Sequence, residues 1–527
     1  MAMSTSTAPV NAPAGRRGTP AGGRGTPAGG RGTPAGGRLF WTFLVTSIAA
    51  FMVSLDNLVV TNALPSIRSD LNAGLSGLEW TVNAYTLTFA VLLLPAAALG
   101  DRYGRRRVFL AGLTLFTFAS AAAALAPGID ALIVARAVQG AGAAVVLPLS
   151  LTLLSTSVPA ARRGAALGVW GAASGLAVAL GPLVGGAVTQ GMSWQWIFWL
   201  NVPIGLVLLP IALRRLPESL GPRGRLDVAG VVLAAGGLFG VVLGVVRAGE
   251  FGWGSTEVVL SIAVGALLLA GFLLRERRTA APMLPLPLFR RRSFSITNGV
   301  SLAMSFGMFG AIFLLAQFMQ TVQGLSPLEA GLRTLPWTAM PVLIAPMAGR
   351  LVDRLGGRPL LVTGLALQAV GIAWIAVVTS PTVAFSSLVL PFVLAGVGMS
   401  LFFVPVATVV MNSVPADRQG VASGTNNAIR EVGGVFGVAV LATIFSHAGG
   451  YASGQQFVAG LEPALWVAAA VVAVGALAAL ALPGRRSATV SALPARQSDV
   501  RGAAHAPVSA PAPVSVLAAA AVAAGHA

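Results

Sequence analysis

Leu99-Gly100-Asp101-Arg102-Tyr103-Gly104-Arg105-Arg106-Arg107 is a tight charged loop between two apolar runs, each long enough to cross a bilayer. The pattern returns in the second half of the chain. Setting Asp101 on Asp353 puts Leu99 on Leu351, Arg102 on Arg354, Gly104 on Gly356 and Arg106 on Arg358. A shared L-x-D-R-x-G-x-R at equivalent points is an internal duplication, and both copies must lie on one side of a membrane. Their basic content places that side in the cytoplasm.

Composition agrees with a polytopic membrane chain. Of 527 residues, 56% are hydrophobic and 9% charged, where a soluble domain carries roughly 25% charge; mean hydropathy is +0.82. The net charge of +18 comes from 34 basic residues, all of them Arg. They are scattered through short loops with no recognition motif or stacking platform, which argues against nucleic acid as a partner. There is no Cys, so disulfides and thiolate metal sites are excluded.

Residues 1–38 repeat Gly-Arg-Gly-Thr-Pro-Ala-Gly with no apolar run and read as a disordered tail. Apolar runs then recur at the length needed to span the hydrocarbon as helix. They lie near 40–64, 80–99, 108–126, 129–154, 164–188, 197–213, 226–246, 258–274, 294–320, 328–349, 360–379, 384–411, 421–445 and 464–482, fourteen in all. With this count every loop arginine except Arg68 and Arg247 falls on one side, so both termini are expected inside. The expected organisation is a six-helix half at 39–213, two inserted helices with their linkers at 214–292, a second six-helix half at 293–482, and a disordered tail at 483–527. Trp194, Trp196, Trp199 and Trp253 are expected in an aromatic belt on the outer side.

The charged loop resembles the signature between the second and third spans of the major facilitator superfamily, G-x-L-x-D-R-x-G-R-R. Gly349 supplies its leading glycine in the second copy, and Ala97 stands there in the first. The first span carries Asp56-Asn57-Leu58-Val59-Val60-Thr61-Asn62-Ala63-Leu64-Pro65, which resembles L-D-x-T-x-V-N-x-A-L-P of the fourteen-span drug:proton antiporters of the EmrB/QacA type. A carboxylate within hydrocarbon is expensive and escapes by taking up a proton or meeting a cation or water. Asp56 is therefore the first candidate for proton coupling. A carboxylate that hydrogen-bonds across the bundle without titrating is the alternative.

In the fourth span, Arg136, Gln139, Gly140, Gly142, Ala143 and Ala144 match L-x-x-x-R-x-x-Q-G-x-G-A-A. Arg136 cannot shed its charge and needs a buried partner; the resemblance implies a part in proton transfer, and a permanently paired, purely structural Arg is the alternative. Gly181-Pro182 and Gly185-Gly186 in the fifth span resemble the G-P-x-x-G-G signature of antiporters. Trp194-Gln195-Trp196 through Asn201, Pro203 and Gly205 resembles another stretch of the same branch and is expected only to anchor the sixth span. In the thirteenth span, Arg430-Glu431 sits in a G-x-x-x-G-x-x-N-x-x-R-Q-x-G-G pattern with Glu for Gln. Glu431 is either a second protonation site or a residue near the cytoplasmic surface satisfied by Arg430 and water. Glu329 and Arg333 read as an i,i+4 pair, and His447 as an inert loop residue with no metal-ligand partners.

Asn57, Gln139, Met304, Met308, Phe309, Phe313 and Gln317 are the candidates for a substrate cavity, flexible Met and flat aromatic side chains suiting greasy ligands; for most of those in the ninth span lipid-facing or core packing is the alternative, with about two expected to reach the cavity. The resemblance implies an all-α major facilitator fold of fourteen helices (6 + 2 + 6). It implies proton-coupled export of hydrophobic, cationic or aromatic small molecules from the plasma membrane, by a monomer with no cofactor and no bound metal. No nucleotide-binding loop or clustered catalytic residues suggest an ATPase or an enzyme. A proton-coupled symporter for uptake is the rival; it predicts an acid-rich cavity and no G-P-x-x-G-G.

Overall fold

In the computed structural model, residues 35–158, 160–220, 227–279, 282, 284, 286–414 and 418–483 are described, and every element among them is helical. Met1–Leu482 form one unit and Pro483–Ala527 a second, of which only Pro483 is described. The expected tails therefore lie outside the described residues, apart from Ala35 to Arg38, which begin the first helix. Arg223 and Arg225 are also outside, as are the side chains of Arg162, Arg163 and Asp353.

The first half is built from α1 (Ala35–Leu71), α2 (Leu75–Tyr103), α3 (Arg105–Ala124), α4 (Ile129–Ser157), α5 (Ala160–Gly191), the single turn α6 (Trp196–Trp199) and α7 (Asn201–Arg215). A hairpin follows, α8 (Val228–Phe251) and α9 (Thr256–Arg278). The second half holds α10 (Arg292–Gln317), α11 (Pro327–Thr338), α12 (Met340–Leu355), α13 (Gly357–Val378), α14 (Phe385–Asn412), α15 (Gln419–Ala448) and α16 (Gly454–Ala479). Inside the first half α1 packs on α5 and α4 on α2 and α3; inside the second, α10 packs on α15 and α13 on α14 and α16.

Twelve helices among the described residues are long and apolar enough to cross a membrane, not the fourteen expected. The expected fifth and tenth spans are the two that do not qualify. The fifth is helix α5, many of whose side chains lie outside the described residues. The tenth is broken at Ala339 into pieces of 12 and 16 residues. Pro336 and Pro341 flank the break, and neither has an N–H to return to the carbonyl four residues back, so a continuous helix here would lack a bond on each side of Ala339.

The hairpin closes on itself through small residues. A Cβ on Gly240 would lie 3.0 Å from the Cα of Gly265, so the two helices meet backbone to backbone. At the Arg-rich end Asp227 caps α8, accepting from the Gly230 amide at 2.9 Å and from Arg275 Nε at 2.7 Å. Burial pushes the Asp227 carboxyl up, but these bonds more than offset it and hold it below the ordinary carboxylate range. This tie is therefore present above about pH 4 and lost as pH falls through the lowered value.

Helix α8 lies on the seam between the halves, against α2 of the first and α15 of the second. Toward α15 it makes polar contacts: Thr443 Oγ1 donates to Val245 O at 2.9 Å, and His447 Nε2 lies 3.2 Å from Ala248 O. His447 is thus a helix-to-helix contact at the end of α15, not an inert loop residue. Toward α2 the contact is apolar, with Leu87 and Val91 in one cluster with Val242 and Val246, and Trp80 5.4 Å from Phe239. The outer belt also needs correction at Trp194, which is 3% exposed and donates its indole N–H to Asp70 Oδ2 at 2.7 Å.

Candidate functional site

Five helices of the first half bring their polar groups to one buried point. Asp56 of α1 and Arg136 of α4 are each 1% exposed, and Arg136 Nη1 lies 2.6 Å from Asp56 Oδ2. The other carboxylate oxygen, Oδ1, accepts from Gln139 Nε2 at 2.8 Å and from Asn201 Nδ2 of α7 at 2.7 Å. Arg136 is held further by Gln139 Oε1 at 2.7 Å, by the Thr81 carbonyl at 3.1 Å and by the face of Tyr85, 4.2 Å from its guanidinium carbon. Gln139 Nε2 also reaches Ser120 Oγ at 2.8 Å. Helix α2 can come this close because residue 140 is Gly: a Cβ there would stand 2.3 Å from the Tyr85 carbonyl.

A buried ion pair holds only if the remaining lone pairs and protons are also satisfied, and the network supplies those bonds from α2, α3, α4 and α7. Sequence reasoning paired Arg136 with an acid without naming Asn201, Thr81, Ser120 or Tyr85 around it. Asn201, expected only to help anchor its span, is a direct partner of the carboxylate. Gln139, expected in a substrate cavity, is spent inside this network and turned away from that role.

The other cavity candidates are corrected in the same way. Met304, Met308 and Phe313 are buried in the main apolar core of α10, and Phe309 packs on Gly434 of α15. Gln317 donates to the Phe313 carbonyl at 3.1 Å and accepts from the Tyr451 hydroxyl. Asn57 is half-buried. None of these lines the small cavity found between the halves, of about 20 Å³, whose walls come from α1, α5, α10, α11 and α14. Glu431 is not at a wet surface but 6% exposed within α15, with Arg430 Nη2 3.9 Å from one oxygen and no partner at Oε2. Glu329 completes a capping box with Ser326, and Arg333 instead lies over Phe385 at 5.1 Å.

The glycine-proline motif of α5 lies on the seam between the halves. A Cβ on Gly181 would meet Leu58 at 2.6 Å, and one on Gly185 would meet the Val59 carbonyl at 2.6 Å, so both press α5 onto α1. Gly186 faces the second half, where a Cβ would stand 2.2 Å from the Pro327 carbonyl; in return Gly331 of α11 faces the Pro182 carbonyl at 2.3 Å. Asn62 Nδ2 donates to that same Pro182 carbonyl at 2.7 Å. Gln320 Nε2 crosses from the π turn after α10 to Asn62 O at 2.9 Å. The end of the bundle opposite the Asp101 loop is thereby shut.

The model of the Major Facilitator Superfamily matches residues 46–230, 225–438 and 299–525. The chain belongs to the major facilitator superfamily. It is 35% identical over 407 residues to the tetracenomycin C resistance and export protein of Streptomyces glaucescens, covering 77% of this chain and 76% of that one. It is 39% identical over 405 residues to the cephamycin export protein CmcT of Amycolatopsis lactamdurans, covering 75% and 83%. Among solved structures, the partially occluded inward-open xylose transporter XylE from E. coli superposes with a TM-score of 0.57 at 15% identity, over 85% of this chain and 99% of that one; at that identity the likeness is one of fold.

In this superfamily member the charged loop is tied mainly to its own half. Asp101 accepts from Arg105 Nε at 2.8 Å, an i,i+4 contact across the loop, while Arg102 is exposed. The acid that holds the loop is one the sequence reading passed over, Glu218 in the segment after α7. Its Oε1 accepts from the Arg106 amide at 3.0 Å, and Oε2 lies 3.7 Å from Arg106 Nε and from Arg107 Nε. Three arginines at the start of α3 oppose the helix dipole, and Glu218 supplies the negative charge that position favours. Gly104 is required at φ +107°, and a Cβ there would press 2.9 Å from Glu218. The second loop repeats the turn with Gly356 at φ +84°, where Arg354 is exposed and Arg358 half-buried.

Proposed function

We propose that this chain exports hydrophobic, cationic or aromatic small molecules, drugs or antibiotics, in exchange for protons by alternating access. The observation that carries the reading is the Asp56–Arg136 pair, sealed within the bundle at 2.6 Å. Its carboxylate accepts from three side-chain donors, and protonation would remove the charge that holds them and weaken these bonds, which ties proton uptake to the packing of α1 against α4 and α7. Each proton moved down 100 mV supplies about 2.3 kcal/mol, roughly a fifty-fold gradient of a neutral substrate. Relatives named for tetracenomycin and cephamycin export support an outward direction, as does the G-P-x-x-G-G stretch placed at the seam. The driving ion would be the proton alone, with no cofactor and the transporter acting as a monomer, and Glu431 is the next acid in line for coupling. The deciding experiment is substrate-evoked proton release from the purified protein, argued for Asp56 below.

In this reading α5 and the broken α11–α12 also cross, giving fourteen spans with two inserted between six-helix halves at 39–213 and 293–482. The Arg-rich end then faces the cytoplasm and both termini lie inside the cell membrane. Reporters fused after Arg215 and after Arg292 should face the cytoplasm, and one fused near Gly252 the outside. A cytoplasmic signal at Gly252 would overturn the inserted pair and the count with it.

The loop is read as a latch on the conformational cycle, not as a substrate contact. Glu218→Gln should slow transport while leaving substrate Kd unchanged, and should weaken the start of α3 by about 0.3–1 kcal/mol. Asp101→Asn breaks one half-buried i,i+4 pair, worth about 0.3–0.5 kcal/mol, and should have the smaller effect. Measuring rate and Kd on the same samples checks both, and loss of binding at normal turnover would refute the assignment.

A further inference from the structure

The indole N–H of Trp337 is out of place. The residue is 2% exposed, sits two residues before the break at Ala339, and its Nε1 meets no acceptor. Buried indole N–H groups ordinarily find a partner, so an exception calls for an occupant. Trp337 lines the small cavity at the seam, opposite Phe392, whose ring centroid is 5.9 Å away at an interplanar angle of 46°. The rest of the wall is Leu58, Thr61 and Asn62 from α1, Pro182 from α5, and neighbouring aliphatic and Thr side chains, with no acid or base among them.

Three of the polar groups nearby are already committed, and the Thr61 hydroxyl completes the polar part of the wall. Asn62 Nδ2 holds the Pro182 carbonyl, Thr334 Oγ1 holds the Gly331 carbonyl, and Thr338 Oγ1 lies 3.4 Å from the Thr334 carbonyl. A ligand here finds flat apolar walls, two aromatic rings and a donor waiting for an oxygen. We infer that this cavity is the subsite for the leading edge of the exported molecule, taking an uncharged fused-ring aromatic whose edge carbonyl or phenolic oxygen accepts from Trp337 Nε1. The inference rests on the export reading for its direction and narrows it to a neutral, oxygen-bearing aromatic over a cation.

Size and position give the subsite a second task. At about 20 Å³ it holds no more than the tip of such a ring system as it stands. Two of its walls meet the second half at this shut end of the bundle: Asn62 O accepts from Gln320 Nε2 at 2.9 Å, and the Pro182 carbonyl faces Gly331. A ring that enters must push those walls apart, so occupancy favours opening on the side where the molecule leaves.

The test uses the full chain, purified in detergent, and three probes: anthraquinone, anthracene and tetraphenylphosphonium. Wild type should bind anthraquinone roughly 3- to 10-fold more tightly than anthracene, the worth of a single neutral hydrogen bond. This comparison needs no variant. Trp337→Phe keeps the ring and removes the N–H; it should abolish that preference and leave tetraphenylphosphonium binding unchanged. Equal binding of anthraquinone and anthracene by wild type, or equal loss of all three probes in Trp337→Phe, overturns the subsite. So does a Trp337→Phe that leaves every affinity unchanged, the result expected if a trapped water satisfies the indole. Failure of the export reading shows elsewhere: vesicles with a proton gradient would accumulate no probe, while the binding preference would persist.

Discussion

Asp56→Asn should abolish uphill export and substrate-evoked proton release together. The asparagine keeps the shape of the carboxyl group but offers no site for the proton, and it presents an N–H toward Arg136 Nη1 or Asn201 Nδ2, both of which donate to Asp56 in the wild-type protein. At 100 mV the accumulation ratio in energised vesicles should fall from a ceiling of about fifty to about one. Breaking a buried pair from one side costs about 3–5 kcal/mol, because Arg136 is left charged in the interior. Part of that is offset by Gln139 Oε1, the Thr81 carbonyl and the Tyr85 ring, which still hold the guanidinium. Asp56→Asn with Arg136→Gln removes both charges and should recover thermal stability while export stays absent, which separates coupling from folding. If the purified Asp56→Asn protein releases as many protons as wild type, the coupling carboxylate lies elsewhere, and Glu431→Gln is the next variant to measure.

Gly331→Val should block transport from the opposite side of the seam. The added Cβ would stand 2.3 Å from the Pro182 carbonyl, and the backbone of α5 has no side chain to swing away. Overpacking of this kind typically costs about 1–3 kcal/mol or more, and here only the closed arrangement suffers it, so the equilibrium moves to the state with that end open. Gly186→Val presses on the Pro327 carbonyl from α5 and should act in the same direction. Gly299→Val on α10, where a Cβ meets nothing within 4 Å, is the matched control. The chain has no Cys, so a lone Cys at Thr61, on the cavity wall, reports access to a membrane-impermeant maleimide without background. Labelling should rise sharply in Gly331→Val and Gly186→Val and stay at the wild-type level in Gly299→Val. Normal transport and unchanged labelling in both seam variants would mean that this contact does not part during the cycle.

The duplicated loop, the buried acid and the buried arginine were legible because each rests on a residue type that tolerates no substitute at its place. Gly104 and Gly356 carry positive φ, and a membrane-embedded carboxylate and guanidinium must find each other. Side-chain direction was less legible. The crowding of Met and Phe on α10 looked like a pocket, yet a helix with this many apolar residues can bury all its faces, and hydrophobicity does not say which one meets a void. Glu218 escaped notice because a loop acid three residues beyond a helix has no periodic signal, and its partners lie more than a hundred residues earlier. The break at Ala339 was marked by Pro336 and Pro341, but mean hydropathy over the run outweighed them in a reading that counted spans by length.

The two flanks of α8 are not alike. Every hydrogen bond described between the hairpin and the bundle helices goes to α15, through Val245 and Ala248, and its flank on α2 is aromatic and aliphatic. A cover fastened along one edge and greased along the other is a passenger of the half that holds it. If the halves rock as alternating access proposes, the hairpin is expected to travel with α15 and the shear to fall between α8 and α2, where the described contacts are aromatic and aliphatic. On this flank the seam would then stay covered throughout that movement.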